Sequence, residues 1–140
     1  MSNSDSMAIP EIIKLPRILD DRGNLSIIEE LIHVPFKIKR TYWIYDVPGG
    51  ERRGGHAYKK HREFIVALSG SFDVILHDGK KEFRFNLNRS YYGLYVPPMF
   101  WREMDNFSTN ALALVVADDS YDEDEYIRDF EEFTQKRYGE

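Results

Sequence analysis

The sequence predicts an all-β sandwich or barrel with a single C-terminal helix, and three observations carry that prediction. Short runs rich in Val, Ile, Phe and Tyr recur between residues 23 and 118 with a period close to two. Gly, Pro, Asn and Asp punctuate these runs at hairpin spacing. A helical apolar period occurs near the C-terminus, from about residue 120.

Taken in order, the opening "MSNSDSMAIP" is polar and lacks the basic and then apolar regions of a signal peptide, so residues 1–9 are expected to be a disordered start. "GNLSIIEEL" at 23 to 31 and "KRTYWIYDV" at 39 to 47 read as strands, as do "EFIVALSG" at 63 to 70 and "NALALVVAD" at 110 to 118. "SFDVILHDGKKEFRFNL" at 71 to 87 reads as two strands joined at Asp78-Gly79, because a two-residue type I′ turn needs positive φ at both central positions. Phe83 and Phe85 alternate with Glu82, Arg84 and Asn86, which gives that second strand one buried and one wet face. "PPMF" at 97 to 100 reads as a turn, since consecutive prolines cannot donate to a central ladder. From about 120 to 137, Tyr126, Ile127, Phe130 and Phe133 recur at helical spacing. Ser120 followed by Glu123 resembles a capping box, and acidic residues fill the first turn, where the helix dipole favours them.

At 140 residues the chain is long enough for one domain with a proper core and short for two, so residues 10–140 are expected to form one domain. A mean hydropathy of -0.52, with no apolar stretch near the roughly 20 residues of a membrane span, excludes a spanning helix. The absence of Cys excludes a disulfide framework and is compatible with a cytoplasmic location. A net charge of -5 argues against general nucleic-acid binding. The charge is uneven: Lys37, Lys39, Arg40, Arg52, Arg53, Lys59, Lys60 and Arg62 gather in the first half, while the tail is acidic. A basic site for a small anion is compatible with that distribution.

The chemistry concentrates in "GGERRGGHAYKKHREFIVALSG", residues 49 to 70. Three readings compete for it: a metal site, an acid-base pair, or a solvated loop edge. If residues 56 to 63 are extended, His56 and Tyr58 point to the same face, while His61, at an odd separation from His56, points away. An imidazole of pKa about 6.5 can accept a proton at neutral pH, and a phenol of pKa about 10 can hydrogen-bond or protonate an oxygen that becomes negative.

Gly50, His56, Tyr58, Glu63 and Gly70 are spaced as in the first motif of the cupin family, and Gly93, Pro97, Met99, Arg102 and Asn106 resemble the second. In metal-binding cupins the resemblance implies a ligand set of three His and one Glu. Here Tyr58 and Arg102 stand where two of those His normally stand, and a protonated guanidinium has no lone pair to donate. The expectation is therefore no metal.

The segments "DDRGNLSIIEE", "PFKIKRTYWIYDVPGGERRGGHAYKK", "GLYVPPMFWREM" and "DDSYDEDEYIRDFEEF" together resemble the WxcM-like and FdtA-like sugar 3,4-ketoisomerases, over residues 10 to 135. That resemblance implies a cupin jelly roll, a homodimer, no cofactor, and a dTDP-linked 4-keto-6-deoxyhexose as substrate in deoxysugar and polysaccharide biosynthesis. The family pattern R-G-x-H-A-H-K meets Arg53-Gly54-Gly55-His56-Ala57-Tyr58-Lys59 here, so the second His is Tyr58. The implied reaction moves the keto group from C4 to C3. His56 is the expected base, with Tyr58 or Tyr42 as the hydroxyl that carries protons at the oxygens. Arg22, Arg40, Arg53 and Arg102 are candidates for the diphosphate, whose oxygens suit a guanidinium fork. Lys59, Glu63 and Trp101 complete the candidate substrate-binding set, although an aromatic on a strand is more often core. Two rival functions are a nucleotide-sugar 3,5-epimerase, which also pairs a His base with a Tyr acid, and a non-catalytic sugar-nucleotide-binding cupin.

Overall fold

A computed structural model describes residues 9–139 of the chain. The expected disordered start, residues 1–9, lies outside the described residues except for Ile9. Two five-stranded antiparallel sheets face each other. The first has the order β1-β9-β6-β11-β4, made of β1 (Glu11–Lys14), β9 (Tyr92–Val96), β6 (Glu63–Ser69), β11 (Leu112–Ala117) and β4 (Arg40–Tyr45). The second has the order β12-β5-β10-β7-β8, made of β12 (Tyr126–Ile127), β5 (Arg53–Tyr58), β10 (Trp101–Asp105), β7 (Phe72–His77) and β8 (Glu82–Leu87). A short hairpin of β2 (Arg17–Ile18) and β3 (Leu25–Ser26) stands beside them.

The period of two builds the core. Ile65 and Ala67, Leu94 and Val96, and Ala113 and Val115 project from the first sheet onto Phe72, Val74 and Leu76 of the second, with Leu87 and Met104 between them. Each such large apolar side chain contributes about 1.5–3 kcal/mol when fully buried. The opposite faces of β6, β9 and β11 are covered too, where Phe64, Val66, Tyr95 and Val116 meet Leu15, Val34 and Phe36. Burial on both faces explains why "FIVA" at 64 to 67 is continuously apolar and not alternating.

Three elements differ from the sequence expectation. "GNLSIIEEL" supplies only the two residues of β3, plus an isolated bridge between Glu30 and Val34. The β7–β8 turn is centred one residue later than Asp78-Gly79: His77 pairs with Glu82, the Asp78 amide donates to the Lys81 carbonyl, and only Gly79 has positive φ, at 100°. Positive φ at the first central position alone is the requirement of a type II′ turn. The Asp78 carboxylate accepts the Lys80 and Lys81 amides, each at 2.8 Å, which fixes this register.

The expected helix from 120 to 137 is the third. Helix α1 covers only Phe130–Tyr138. Residues Glu123–Glu125 form a single 3₁₀ turn capped by Asp122, and Tyr126–Ile127 are drawn into β12 by pairing with Tyr58 and Ala57. The cap of α1 is Asp129, whose carboxylate accepts the Glu132 amide at 3.2 Å; Ser120 has no part in it. Phe133 is fully buried with Ile127 and Trp101, and the Phe130 and Trp101 rings meet edge to face at 5.4 Å, so α1 is pinned to the second sheet and braces β12. Replacing Asp129 by Ala is expected to cost about 1 kcal/mol, and Ser120→Ala close to nothing, in urea denaturation of the two variants.

Candidate active site

The second sheet sets the site by its pleat. His56 and Tyr58 are two residues apart on β5 and face the same way, inward. In the antiparallel register Arg102 of β10 stands opposite His56, and Tyr126 of β12 stands opposite Tyr58. From the first sheet, β4 presents Arg40, Tyr42 and Ile44 on its inner face while Thr41, Trp43 and Tyr45 are exposed. Between them lies a cavity of about 510 Å³, lined among others by Arg40, Tyr42, Arg53, His56, Tyr58, Arg102, Tyr126 and Arg128. That size suits a small-molecule ligand. Gly54 permits β5 to approach β10 here: its φ is +99°, and a Cβ would stand 2.8 Å from the Arg102 carbonyl oxygen.

Glu63 forms the floor. It is buried, and its Oε2 accepts the Tyr42 hydroxyl at 2.8 Å while its Oε1 pairs with Arg102 Nη1. Arg102 Nη2 donates to the Tyr42 oxygen at 2.9 Å, closing a triangle of three side chains. Two buried charges are tolerable only when paired and hydrogen-bonded in this way. Burial works against the Arg102 cation, but the Glu63 carboxylate, with Tyr42 and Tyr58, outweighs it and leaves its pKa raised.

The neighbouring groups respond to burial and to this pair. Burial pushes the Tyr42 phenol up to about 12, an effect that Arg102 opposes and Glu63 reinforces. The Tyr58 phenol is pushed up still further, first by burial and then by the Glu63 carboxylate. For His56 burial leads, and the Arg102 and Arg128 guanidinium groups add to it, lowering its pKa to about 3. The imidazole is therefore neutral at neutral pH, and its buried Nε2 has no hydrogen-bond partner among the described residues. Arg40 likewise buries Nε and Nη2 without a partner among the described residues. A free imidazole nitrogen, two buried phenols and unpartnered guanidinium donors can take a proton, move it between oxygens and hold an anion.

Six of the residues singled out in the sequence thus meet at the cavity: His56, Tyr58, Tyr42, Arg40, Arg53 and Arg102. Four do not line it. Glu63 lies behind Tyr42 and Arg102. Lys59 is exposed, its amide bonded to the Glu125 carbonyl. Trp101 turns to α1 and donates its indole N–H to Glu103 at 2.9 Å. Arg22 sits in the β2–β3 loop, 89% exposed, in an ion pair with Asp20 at 2.8 Å. Residues 56 to 63 are not one extended segment: β5 ends at Tyr58, β6 begins at Glu63, and His61 lies buried in the bend between them, with its ring centroid 5.1 Å from that of Tyr58. Tyr126 and Arg128 were not foreseen as cavity residues, because the helical period of residues 126, 127, 130 and 133 absorbed them. Among the described residues no group of three or more His, Cys, Asp and Glu is placed to hold a metal ion.

Facing antiparallel sheets enclosing a cavity define a cupin jelly roll of the kind found in sugar isomerases. The chain belongs to the FdtA family (WxcM-like, C-terminal), whose profile matches residues 8–138. It is 44% identical over 128 residues to the TDP-4-oxo-6-deoxy-α-D-glucose-3,4-oxoisomerase of Aneurinibacillus thermoaerophilus, covering 91% of each chain. Among solved structures it is similar to the Campylobacter jejuni TDP-quinovose 3,4-ketoisomerase WlaRB, with a TM-score of 0.86 and 44% identity, covering 90% of this chain and 97% of that one. It also resembles QdtA, a sugar 3,4-ketoisomerase from Thermoanaerobacterium thermosaccharolyticum in complex with TDP, with a TM-score of 0.91 and 36% identity, covering 93% and 95%. A dTDP-4-dehydrorhamnose 3,5-epimerase from Bacillus anthracis shares the fold alone, at 17% identity and a TM-score of 0.74.

Because Arg102 is the cation hydrogen-bonded to buried Glu63, Arg102→Met is expected to destabilise the chain by about 3–5 kcal/mol, and adding Glu63→Gln to recover part of that loss, as read from denaturant midpoints.

Proposed function

We propose that the chain is a metal-independent 3,4-ketoisomerase acting on dTDP-4-keto-6-deoxyglucose or a close dTDP-linked analogue. The observation that carries this reading is a cavity lined by both the neutral His56, whose Nε2 has no partner among the described residues, and the hydrogen-bonded phenol of Tyr42, together with buried guanidinium donors. The relatives are ketoisomerases over nearly their whole length, whereas the epimerase rival is only a distant likeness.

The reaction follows from these groups. The C4 ketone acidifies the hydrogen on C3, and His56 Nε2 takes it as a proton, giving an enediolate. C4 must then gain a proton, the C3 oxygen must lose one, and the C4 oxygen must gain one. Tyr42 suits the exchange between the two oxygens: its hydroxyl both donates to Glu63 and accepts from Arg102, so it is held in one place while the proton moves. The guanidinium charge of Arg102 lies where negative charge develops. Arg40 and Arg53 are the choice for the diphosphate. A bound dianion offsets the guanidinium charges that depress His56, which raises its basicity as the substrate arrives. The pK-neutral start and the substrate-induced gain make His56 a base only when the site is filled.

The reading includes a cytoplasmic homodimer serving polysaccharide biosynthesis. The dimer is supported by β4, an edge strand that exposes Trp43 (59%) and Tyr45 (62%), and by the exposed Ile18, Leu19 and Leu25 of the β2–β3 hairpin. Edges and apolar patches of this kind call for cover.

NMR of the wild-type protein with dTDP-4-keto-6-deoxyglucose should show the carbonyl migrating from C4 to C3, with or without a chelator in the buffer. His56→Asn should keep dTDP binding and lose a factor of about 10² to 10⁴ in turnover. Binding without migration over hours would leave the chain a sugar-nucleotide-binding cupin, and turnover abolished by the chelator would return the metal. Light scattering at micromolar concentration is expected to give twice the 16.5 kDa chain mass, and a value equal to it would refute the dimer.

A further inference from the structure

The ketoisomerase reading accounts for the proton leaving C3 and for the exchange between oxygens, but it leaves open what protonates C4. We propose that Tyr58 and Tyr126 form a two-phenol relay that delivers this proton, with Tyr58 as the donor to carbon and Tyr126 as its link to water. The inference rests on that reading and extends it to a residue of β12.

The geometry is specific. Tyr58 and Tyr126 are register partners across the β5–β12 ladder, their rings meet edge to face with centroids 4.8 Å apart, and their hydroxyl oxygens are hydrogen-bonded at 3.3 Å, a contact in which either rotor can donate. Both rings also touch the His56 ring, at 4.9 Å and 5.1 Å between centroids, so base and relay border the same space. Tyr58 is only 4% exposed, whereas Tyr126 is half-buried at the cavity wall with the Arg128 guanidinium over its ring at 4.2 Å. One end of the pair is thus dry and the other wet.

Chemistry requires the second member. Burial and the Glu63 carboxylate hold the Tyr58 phenol strongly in its protonated form, so the phenolate left after it gives up a proton is costly and must be refilled at once. Glu63 can only accept, and the Arg102 Nη atoms are engaged with Glu63 and Tyr42. Two hydroxyls are in hydrogen-bond contact with Tyr58, those of Tyr42 and Tyr126; Tyr42 is already held by Glu63 and Arg102, which leaves Tyr126 to refill it. The C3–H bond breaks and His56 Nε2 gains the proton; Tyr42 passes the C3 hydroxyl proton to the C4 oxygen; C4 of that enediolate takes the proton of the Tyr58 O–H as C3 becomes the ketone; the Tyr58 oxygen takes the proton of Tyr126; Tyr126 is refilled from water, and His56 returns its proton to solvent. No electrons leave or enter.

The test separates the two halves of the reaction with Tyr126→Phe, which keeps the ring and removes one oxygen atom. Wild type and variant are incubated with dTDP-4-keto-6-deoxyglucose in deuterated water, and NMR follows both hydrogen exchange at C3 of recovered substrate and appearance of the 3-keto product. In Tyr126→Phe, exchange at C3 is expected to persist while product formation falls by about 10-fold or more, so that the ratio of exchange to isomerisation rises. Tyr58→Phe should shift the ratio the same way, and the double variant should lose no more than the worse single one, because a relay fails as a unit. Product formation unchanged in Tyr126→Phe overturns the relay. So does a parallel fall of exchange and product, the mark of a merely structural hydroxyl, or additive losses in the double variant. A wild type that neither exchanges nor isomerises defeats the ketoisomerase reading itself, and the relay with it.

Discussion

The Arg102–Glu63 ion pair, closed by the Tyr42 hydroxyl, is the constraint on which the cavity depends. It joins β10 of one sheet to β6 and β4 of the other, so the two sheets are tied by polar contacts at the point where the apolar core gives way to the cavity. Its cost is high unless all three partners are present, because each charge is out of water. Its effect on chemistry is equally direct. Burial and Arg102 together hold His56 neutral, and burial reinforced by Glu63 raises the phenols of Tyr42 and Tyr58. An imidazole kept free of its proton faces phenols kept in possession of theirs. In the cupin frame Arg102 stands at a position that a His occupies in metal-binding members.

The pleat does the rest of the positioning. On β5 the two-residue repeat aligns His56 with Tyr58, and antiparallel pairing sets Arg102 and Tyr126 opposite them. Four functional side chains thus share one face because of strand geometry alone, with no dedicated loop to hold them. Sites on strands keep their geometry better than sites on loops. The bulge in the β5–β10 ladder between Arg102 and Glu103, next to Gly54, lets β10 turn away just beyond the site.

Much of this was legible in the residue pattern, and the exceptions share a physical cause. Short β-branched and aromatic runs disclosed β4, β6, β7, β8 and β11, and an odd-even argument put His56 and Tyr58 together, because strand patterning is local information. The same argument failed for His61, since it assumed an extended chain through a bend at residues 59–62 that the sequence does not mark. Glu63 looked like a ligand for substrate and is instead a partner for Arg102, a long-range pairing that spacing cannot show. Tyr126 and Ile127 fit a helical stripe as well as they fit a two-residue strand. Tertiary pairing with Tyr58 and Ala57 decided between them, and it cost the sequence reading two residues of the cavity wall.

The strand β12 is two residues long, yet it carries Tyr126 into the cavity, and α1 reaches it through Phe133 and Ile127. The C-terminal end of this chain is therefore not a free handle. A truncation on the C-terminal side of Ala117, or a fused partner that pulls α1 off Trp101, would open one wall of the cavity and bare the edge of β5 and the Trp101 face of β10, although every residue of β1 through β11 would still be present. Anyone choosing where to attach a label, a tag or a surface should treat that end as part of the reaction vessel.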